Sequence, residues 1–406
     1  MIMCSILKLN ITYSSDSRNG LFIYLFISLL FVLLFAEIKI TQRKFSPTIV
    51  LITLWIGVLI VTQIYSSALW QLSVETMWWV FGGVFAFFIG GFWGRLFFKI
   101  YGFKNISLQS NGNTLLFAIP FYILMFFFYY FMVRAGANED QNWYVGIRKI
   151  INYGEPDLFF IMFGYIYYLI YPMLYLEAAR YYSSKSFNKK DKYNYHMQLI
   201  MCILYAVMST AKLKLLLVIV PVFFIRSYFK PTSTKLIIVV GTMFLGVFFL
   251  SLILLNKIAG DIGVFKIIIT SIGNYTFFNL YAFDSLHFKE FLKIKCIDNS
   301  NSCSLLPFFE YGDFRTNIYT IMYSFIEYGF FSYSLFLFMV GFIHNAADQI
   351  AKKTSNIYAI ILSSVLYVPL VFQIMDNQYT ASKYLIYILM FSYVVYFTNV
   401  RRLRVM

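Results

Sequence analysis

The sequence predicts an all-α, polytopic integral membrane protein whose single transmembrane domain covers residues 1–406. Sixty per cent of its residues are hydrophobic and only 13% are charged, whereas a soluble domain carries about 25% charged residues. The apolar residues occur in runs of about 20, the length that a helix needs to cross a bilayer. No cleavable signal peptide is evident, because charged residues rather than a small-residue cleavage site follow the first apolar run.

Eleven apolar runs are candidate transmembrane helices. They cover residues 21–36, 47–69, 77–98, 114–133, 157–178, 196–209, 213–229, 236–255, 317–341, 356–375 and 382–397. The sixth run is short and ends at the sequence Ser209-Thr210-Ala211-Lys212, which leaves open whether it crosses the membrane fully.

The positive charges predict the orientation of the chain. Lys and Arg are concentrated in six short segments, which all fall on one face if the spans alternate: 37–46, 95–104, 180–192, 226–235, 352–353 and 401–404. The positive-inside rule makes this face cytoplasmic. The net charge of +15 is therefore mainly an orientation signal. No basic tract with interleaved aromatics lies outside the spans, so we expect no nucleic-acid partner.

Two large loops are expected on the opposite, outer face. They cover residues 134–156 and 256–316, and both carry charges of both signs. Within the second loop, residues 264–272 and 275–283 alternate apolar and polar groups, which predicts short amphipathic helices at the membrane surface. Large mixed-charge loops on one face suggest that the functional site lies there.

The second large loop also contains two of the four cysteines, Cys296 and Cys303, in a polar stretch. Two free thiols are one interpretation. We favour a disulfide, because the loop is predicted to face an oxidising compartment and the pair brackets a short turn.

The sequence shows no metal or cofactor site. Its three histidines are scattered over three regions, and no paired-ligand spacing occurs. No Gly-rich phosphate loop follows a strand pattern, and no nucleophile with a nearby base is recognisable. We therefore expect chemistry without a metal ion or a cofactor.

Cationic side chains on the outer face suggest an anionic ligand. They are Arg134, Arg148, Lys212, Lys214 and Arg315, each beside an apolar span or in an outer loop. A guanidinium group gives paired, charge-assisted hydrogen bonds to a phosphate or pyrophosphate. The alternative is contact with lipid headgroups or snorkelling. For the set as a whole, we favour a lipid-linked anion.

Three carboxylates are candidates for acid–base chemistry. Asp313 and Glu310 lie at the predicted interface, where a sugar hydroxyl group could reach them. Glu327 lies ten residues into the ninth predicted span, about 15 Å deep at 1.5 Å per residue. A buried structural carboxylate and a direct role are both open for Glu327.

The ninth span begins with Asn317, Tyr319 and Thr320 and continues to Glu327-Tyr328-Gly329. This arrangement resembles a motif of the Wzy-type O-antigen polymerases of Gram-negative bacteria. The family pattern Asn-x-Tyr-Thr corresponds to Asn317, Tyr319 and Thr320, and its acidic-aromatic-Gly triplet corresponds to Glu327-Tyr328-Gly329. The family usually has Asp at the position of Glu327. It also has Arg where this chain has Lys212, and an ammonium group cannot give a bidentate contact.

The resemblance implies a GT-C-type, lipid-linked glycosyltransferase of the bacterial inner membrane with a periplasmic active face. Its substrates would be undecaprenyl-pyrophosphate-linked oligosaccharides, joined by block transfer, with membrane lipids and a chain-length regulator protein as further partners. The implied catalytic residues are Asp313, Glu310, Arg315 and Glu327, and the implied substrate-binding residues are Arg134, Arg148, Lys212, Lys214, Asn317, Tyr319 and Thr320.

Two other functions fit a similar topology. An O-antigen ligase uses the same donor with a lipid A core acceptor, and the pattern from Asn317 to Thr320 favours the polymerase over it. A lipid-oligosaccharide flippase is third, because such transporters favour internal repeats and Gly- or Pro-interrupted spans. This chain has eight prolines and no visible repeat.

Overall fold

The chain forms a helical bundle, which confirms the predicted class of an all-α membrane protein. The computed structural model describes residues 21–42, 45–67, 69–100, 114–183, 189–233, 270–286, 309–311, 314–316, 320–379 and 386–394, with scattered positions between 235 and 253. Asp313, Asn317, Tyr319, Cys296 and Cys303 lie outside the described residues, so the predictions made for them stay predictions.

Eleven α-helices have both ends within the described residues. They are α1 (Leu21–Thr41), α2 (Pro47–Tyr65), α3 (Val74–Ile100), α4 (Thr114–Glu139), α5 (Trp143–Tyr153), α6 (Leu158–Ser183), α7 (Lys189–Met208), α8 (Lys212–Phe229), α9 (Phe278–Ser285), α10 (Gly329–Thr354) and α11 (Ile357–Phe372). Six of the described helices, α1, α2, α3, α4, α6 and α10, are long and apolar enough to cross a membrane. The count of eleven spans therefore stays a prediction.

The ninth predicted span, 317–341, is wrong at its beginning. The chain first forms an antiparallel hairpin of β1 (Phe309–Tyr311) and β2 (Phe314–Thr316). A 3₁₀ helix follows at Ile321–Phe325. The membrane helix α10 begins only at Gly329, whose φ of +80° lies in the left-handed region that glycine adopts without strain.

The expected surface helix within residues 275–283 is also wrong. All eight residues of α9 are buried. Its polar side chains form buried hydrogen bonds instead of facing water: the Asp284 carboxylate accepts from Trp70 Nε1 at 2.9 Å and from the Ser73 backbone N–H at 3.0 Å. The Tyr281 hydroxyl donates to the Thr62 carbonyl at 2.9 Å. The alternation of polar and apolar residues therefore reflects buried hydrogen bonding.

Two apolar cores hold the bundle together. One is built from α4 to α8 and α11. The other is built from α1 to α3, α9, the hairpin and α10, with contributions from α8 and α11. The stacked rings of Phe224 on α8 and Tyr367 on α11 belong to the second core, with centroids 3.5 Å apart.

Helices α3 and α10 pack closely, and glycines make the approach possible. A Cβ atom at Gly90 or Gly94 would collide with the backbone carbonyl of Phe338 or Phe342. On the opposing helix, a Cβ atom at Gly341 would meet the carbonyl of Phe87. Small residues one turn apart are the usual way in which membrane helices bring their backbones together.

A buried hydrogen-bond network connects the helices at one end of the bundle. We call this end the basic end; it comprises the C-terminal parts of α1, α3, α8 and α10 and the N-terminal parts of α2 and α11. The Arg95 guanidinium donates to both oxygens of Glu37, at 2.7 and 2.8 Å. Ser46 donates to the same carboxylate at 2.9 Å, and Asn345 Oδ1 accepts from Arg95 at 2.7 Å. Asn345 Nδ2 in turn donates to the Thr48 hydroxyl at 3.1 Å.

A second polar group at the basic end joins α8, α10 and α11. The Tyr228 hydroxyl donates to the Asp348 carboxylate at 2.6 Å and lies 2.7 Å from the Ser363 hydroxyl. Lys352 forms an ion pair with Asp348. These contacts bring together helix ends that the sequence places on one face. That this face is cytoplasmic stays a prediction.

Candidate functional site

The first large loop forms α5, which contacts the turn between α7 and α8. Asn142 begins the helix as an N-cap, its side chain accepting from the backbone of Tyr144. The Tyr144 hydroxyl donates to the Val207 carbonyl at 2.8 Å. Arg148 donates to the Thr210 carbonyl at 3.3 Å. Arg148 is therefore brought to the turn that the sequence analysis singled out.

The other predicted cations of this region lie in different environments. Lys214 is half-buried, with its ammonium group 2.7 Å from the centroid of the Tyr167 ring. Lys212 begins α8, and its side chain lies outside the described part of the chain. Arg134 is exposed, with its guanidinium group 5.8 Å from the Tyr130 ring on the preceding turn of α4. Arg148 thus reaches the α7–α8 turn, Lys214 contacts an aromatic ring of α6 from the first turn of α8, and Arg134 contacts its own helix.

The hairpin carries two of the predicted catalytic residues, Glu310 and Arg315, and pairs them with each other. They occupy facing positions of β1 and β2. Their side chains form an ion pair of 2.6 Å, and about half of each side chain is exposed. The Glu310 carboxylate is therefore engaged by Arg315 in this arrangement.

Glu327 is the clearest correction at the site. The sequence predicted a carboxylate about 15 Å deep in a helix. In the structure it is exposed, in the turn between the 3₁₀ helix and α10. Because α10 begins at Gly329, Glu327 never enters a membrane helix. It is therefore not a buried structural carboxylate, and a direct role for Glu327 stays a prediction.

The candidate cations divide between the two cores. Arg148 and Lys214 belong to helices of the first core, whereas Arg315 lies on the hairpin that packs against the second. A common pyrophosphate clamp formed by Arg134, Arg148 and Arg315 stays a prediction.

An apolar groove of about 510 Å³ lies beside the hairpin. It is lined by one face of α2 from Thr53 to Tyr65, by the segment before α9, and by Ile374. Three aromatic rings lie at the hairpin end of the groove. Tyr65 stacks on Phe277 at 4.7 Å, and Phe314 of the hairpin meets both rings edge-on at 6.1 and 5.6 Å. The residue after Phe314 is Arg315.

Buried hydrogen bonds join the hairpin to the segment after α11. The Thr316 hydroxyl donates to Asn279 Oδ1 at 3.1 Å, and Asn279 Nδ2 donates to the Ile374 carbonyl at 3.3 Å. The Ile321 backbone N–H donates to the Gln373 carbonyl at 2.9 Å. We call this meeting point the junction, defined by Asn279, Thr316, Thr320, Gln373, Asp376 and Asn377.

Three buried polar atoms of the junction have no hydrogen-bond partner among the described residues. They are Thr320 Oγ1, Gln373 Oε1 and Asn377 Nδ2. Each of these residues is about 98% or more buried. Most buried polar groups in proteins are hydrogen-bonded, so a cluster of exceptions requires an explanation. Of these three residues, only Thr320 was predicted as a site residue.

Asp376 is the junction's carboxylate, and the sequence analysis missed it. It is half-buried, and its oxygens accept from the Asn377 backbone N–H at 2.7 Å and from Gln378 Nε2 at 2.8 Å. Burial raises the pKa of Asp376 above its ordinary value. The predicted span 356–375 was long enough to cross a bilayer and gave no sign of this site, whereas α11 has only 16 residues, too few to cross a hydrocarbon layer of about 30 Å.

Neither the described residues nor known proteins assign a ligand. Among the described residues, no group of three His, Cys, Asp or Glu side chains is arranged to hold a metal ion. Comparison of the chain with models of known protein families, with curated proteins and with solved structures finds no match.

Proposed function

We propose that this protein is a glycosyltransferase that polymerises undecaprenyl-pyrophosphate-linked oligosaccharide repeat units at the periplasmic face of a bacterial inner membrane. The observation that carries the proposal is the continuity of three surfaces: an apolar groove, a hairpin that bears Arg315, and a polar junction. A lipid-linked glycan has the same three parts in the same order: an apolar tail, a charged pyrophosphate and a neutral sugar.

The groove suits the prenyl tail of the donor. Its walls are apolar apart from the hydroxyl groups of Thr53, Tyr65 and Thr276. Ile374 links the groove to the junction, because it lines the groove and its carbonyl accepts from Asn279. A tail in the groove therefore places the attached headgroup near the hairpin and the junction.

Arg315 is the proposed pyrophosphate ligand. Its guanidinium group is about half-exposed and already holds one anion, the Glu310 carboxylate. A pyrophosphate can displace this carboxylate and form paired, charge-assisted hydrogen bonds. The exchange also frees Glu310. As the glycan departs, the pyrophosphate gains negative charge, which a fixed guanidinium group stabilises.

The group formed by Arg148, Thr210 and Lys214 is a candidate site for the second lipid-linked substrate. Block transfer uses two pyrophosphate lipids, the growing chain and the new repeat unit. Two cationic groups on different cores fit this requirement better than one clamp. Arg134 and Lys212 belong to the same region of the fold and stay candidates for this role.

A lipid-oligosaccharide transporter is the second candidate. The non-helical segment after α11 interrupts the bundle, and discontinuous helices are typical of substrate sites in transporters. An O-antigen ligase differs from a polymerase in its acceptor, and nothing described at the junction favours a lipid A core over a repeat unit.

Deletion of the gene in its own bacterium, followed by gel analysis of the surface glycan, separates the three functions. A polymerase deletion leaves a single repeat unit on the acceptor, and a ligase deletion leaves none. A transporter deletion leaves lipid-linked glycan on the cytoplasmic side.

Arg315 variants then test the mechanism in the deletion strain. We expect the wild-type gene to restore the full ladder, Arg315→Ala to restore none, and Arg315→Lys to restore part, because a point charge cannot reproduce the guanidinium fork. Lys149→Ala is the matched control, since Lys149 is an exposed cation paired with Asp140 on α5. A full ladder from Arg315→Ala at normal protein level removes Arg315 from the mechanism.

A further inference from the structure

Two segments that are not α-helical, one of them containing the 3₁₀ helix, lie beside α10, and both carry junction residues. Phe325, at the end of the 3₁₀ helix, packs against Phe336 with ring centroids 4.9 Å apart. Tyr379 packs against the same ring at 5.9 Å, and its hydroxyl lies 3.0 Å from His344 Nε2. Both segments therefore leave the helix ends and contact side chains well within α10.

The depth of this entry follows from helix geometry. Phe336 is seven residues beyond the start of α10, and His344 is fifteen residues beyond it. At 1.5 Å per residue these positions lie about 10 and 22 Å along the helix. Asp376 lies between Gln373, which is bonded to Ile321, and Tyr379, which is bonded to His344. Asp376 therefore lies on the half-buried segment that runs between these two contacts.

Irregular backbone at such a depth is tolerated only where protein buries it or where it lines a water-filled cavity. At the junction, protein buries these segments, but not every buried polar atom is hydrogen-bonded. Thr320 Oγ1, Gln373 Oε1 and Asn377 Nδ2 lack partners among the described residues. A fold under no other constraint would replace such groups by apolar ones. The groups that remain indicate a ligand with matching hydrogen bonds.

The chemistry of the junction selects a neutral, hydroxylated ligand. Thr320 offers a hydroxyl group, Gln373 an acceptor and Asn377 a donor. The carboxylate of Asp376 would repel a phosphate, and none of the residues that define the junction is cationic. A single carboxylate is also too little for a metal ion, which needs several oxygen ligands. A sugar hydroxyl group, which both donates and accepts, fits all four side chains.

We propose that the terminal sugar of the acceptor binds at the junction beside the donor sugar and that Asp376 is the general base of the transfer. This inference rests on the proposed function. The acceptor oxygen forms a bond to the anomeric carbon of the donor sugar, and the bond from that carbon to the pyrophosphate oxygen breaks. Its electron pair stays with the pyrophosphate, and the hydroxyl proton moves to Asp376 and later to water.

The first test is the Asp376→Asn variant, which keeps the shape of the side chain and removes the base. General-base catalysis contributes about 10²- to 10⁴-fold, so we expect polymer formation by the purified protein to fall at least about 100-fold. The rate at saturating acceptor should fall, while the acceptor concentration at half-saturation changes little. Asp376→Glu should retain part of the rate. A merely structural role would instead lower the unfolding temperature of Asp376→Asn.

Asp140→Asn is the matched control, because Asp140 is a half-buried carboxylate of the first outer loop, paired with Lys149 at 2.7 Å. We expect it to polymerise at the wild-type rate. If Asp376→Asn also polymerises at the wild-type rate, Asp376 is not the base and this inference fails, while the proposed function stands. If the wild-type gene does not restore the ladder, the proposed function fails, and the reaction assigned to Asp376 fails as well because it depends on that function.

A second test does not depend on glycan chemistry. Asn377→Cys, in a protein whose four native cysteines are replaced, should react with a membrane-impermeant thiol reagent added from the periplasmic side, because a sugar can bind only where water can enter. The cysteine-free parent is the control and should stay unlabelled. Absence of labelling at position 377 in folded protein overturns the assignment of the junction as a sugar site.

Discussion

The basic end and the junction both bury polar side chains, but they differ in how completely these side chains are hydrogen-bonded. At the basic end, the Glu37 carboxylate accepts three hydrogen bonds, two from Arg95 and one from Ser46. At the junction, Thr320 and Asn377 each bury a polar atom that has no partner among the described residues. Buried polar side chains are therefore hydrogen-bonded at the basic end, whereas some of those at the junction have no described partner.

The difference separates residues that hold the fold from residues that are available for a ligand. A buried charge stabilises a fold only when good geometry and further hydrogen bonds compensate its desolvation, as they do for Arg95 and Glu37. A buried polar group without a partner lowers stability, and proteins keep such groups mainly where function requires them. We therefore assign the basic end to architecture and the junction to ligand binding.

The largest effect is expected when the basic end is broken. Arg95→Met leaves the Glu37 carboxylate buried without its guanidinium partner, which should lower the free energy of unfolding by about 3–5 kcal/mol. Thermal unfolding of the purified protein in detergent measures this loss.

A double variant controls for the loss of the Arg95 side chain itself. Glu37→Gln combined with Arg95→Met removes both charges and should recover part of the lost stability, because no unpaired charge remains. If Arg95→Met alone unfolds at the wild-type temperature, the basic end does not have the structural role assigned to it.

A smaller effect is expected at the contact between α3 and α10, which connects the basic end to the junction. Gly90→Ala introduces a Cβ atom against the Phe338 carbonyl, and we expect a loss of about 1–3 kcal/mol from overpacking. The matched control is Gly164→Ala on α6, where a Cβ atom meets nothing within 4 Å. The Gly164→Ala variant should have an unfolding temperature equal to or above that of the wild type, because alanine favours the helical conformation more than glycine does. Equal effects of the two substitutions would contradict the close packing of α3 on α10.

Much of the helical architecture is predictable from the sequence, because an apolar run long enough to cross a bilayer has few alternatives. Predicted spans and observed helices begin within three residues of each other for α1 to α4, α6, α8 and α11. α7 begins at Lys189, seven residues before the predicted 196, and the largest error came in the stretch 320–328 that precedes α10. The rings of Phe309 and Phe314 that precede this stretch pack against protein rather than lipid, and composition cannot distinguish these two apolar surroundings.

The site was predictable only where a charge stands beside an apolar run. That pattern led to Arg148 and Arg315, which the structure places at the α7–α8 turn and on the hairpin. Asp376 looked like part of a short loop. Its surroundings depend on contacts between segments about fifty residues apart, such as the hydrogen bond from Ile321 to Gln373, and no local pattern encodes them.

The most direct test of the central claim compares two buried threonines, Thr48 at the basic end and Thr320 at the junction. The Thr48 hydroxyl is bonded to Asn345, whereas Thr320 Oγ1 has no partner among the described residues. Replacement by valine keeps the shape of each side chain and removes the hydroxyl group. Thr48→Val should lower the free energy of unfolding by about 0.5–1.5 kcal/mol.

Thr320→Val should instead raise the unfolding temperature of the ligand-free protein, because the substitution removes an unsatisfied buried group that costs about 1–3 kcal/mol. The same variant should form less polymer than wild type. A Thr320→Val protein that unfolds at a lower temperature, as Thr48→Val is expected to do, would show that the Thr320 hydroxyl holds the fold, and it would contradict the assignment of the junction to ligand binding.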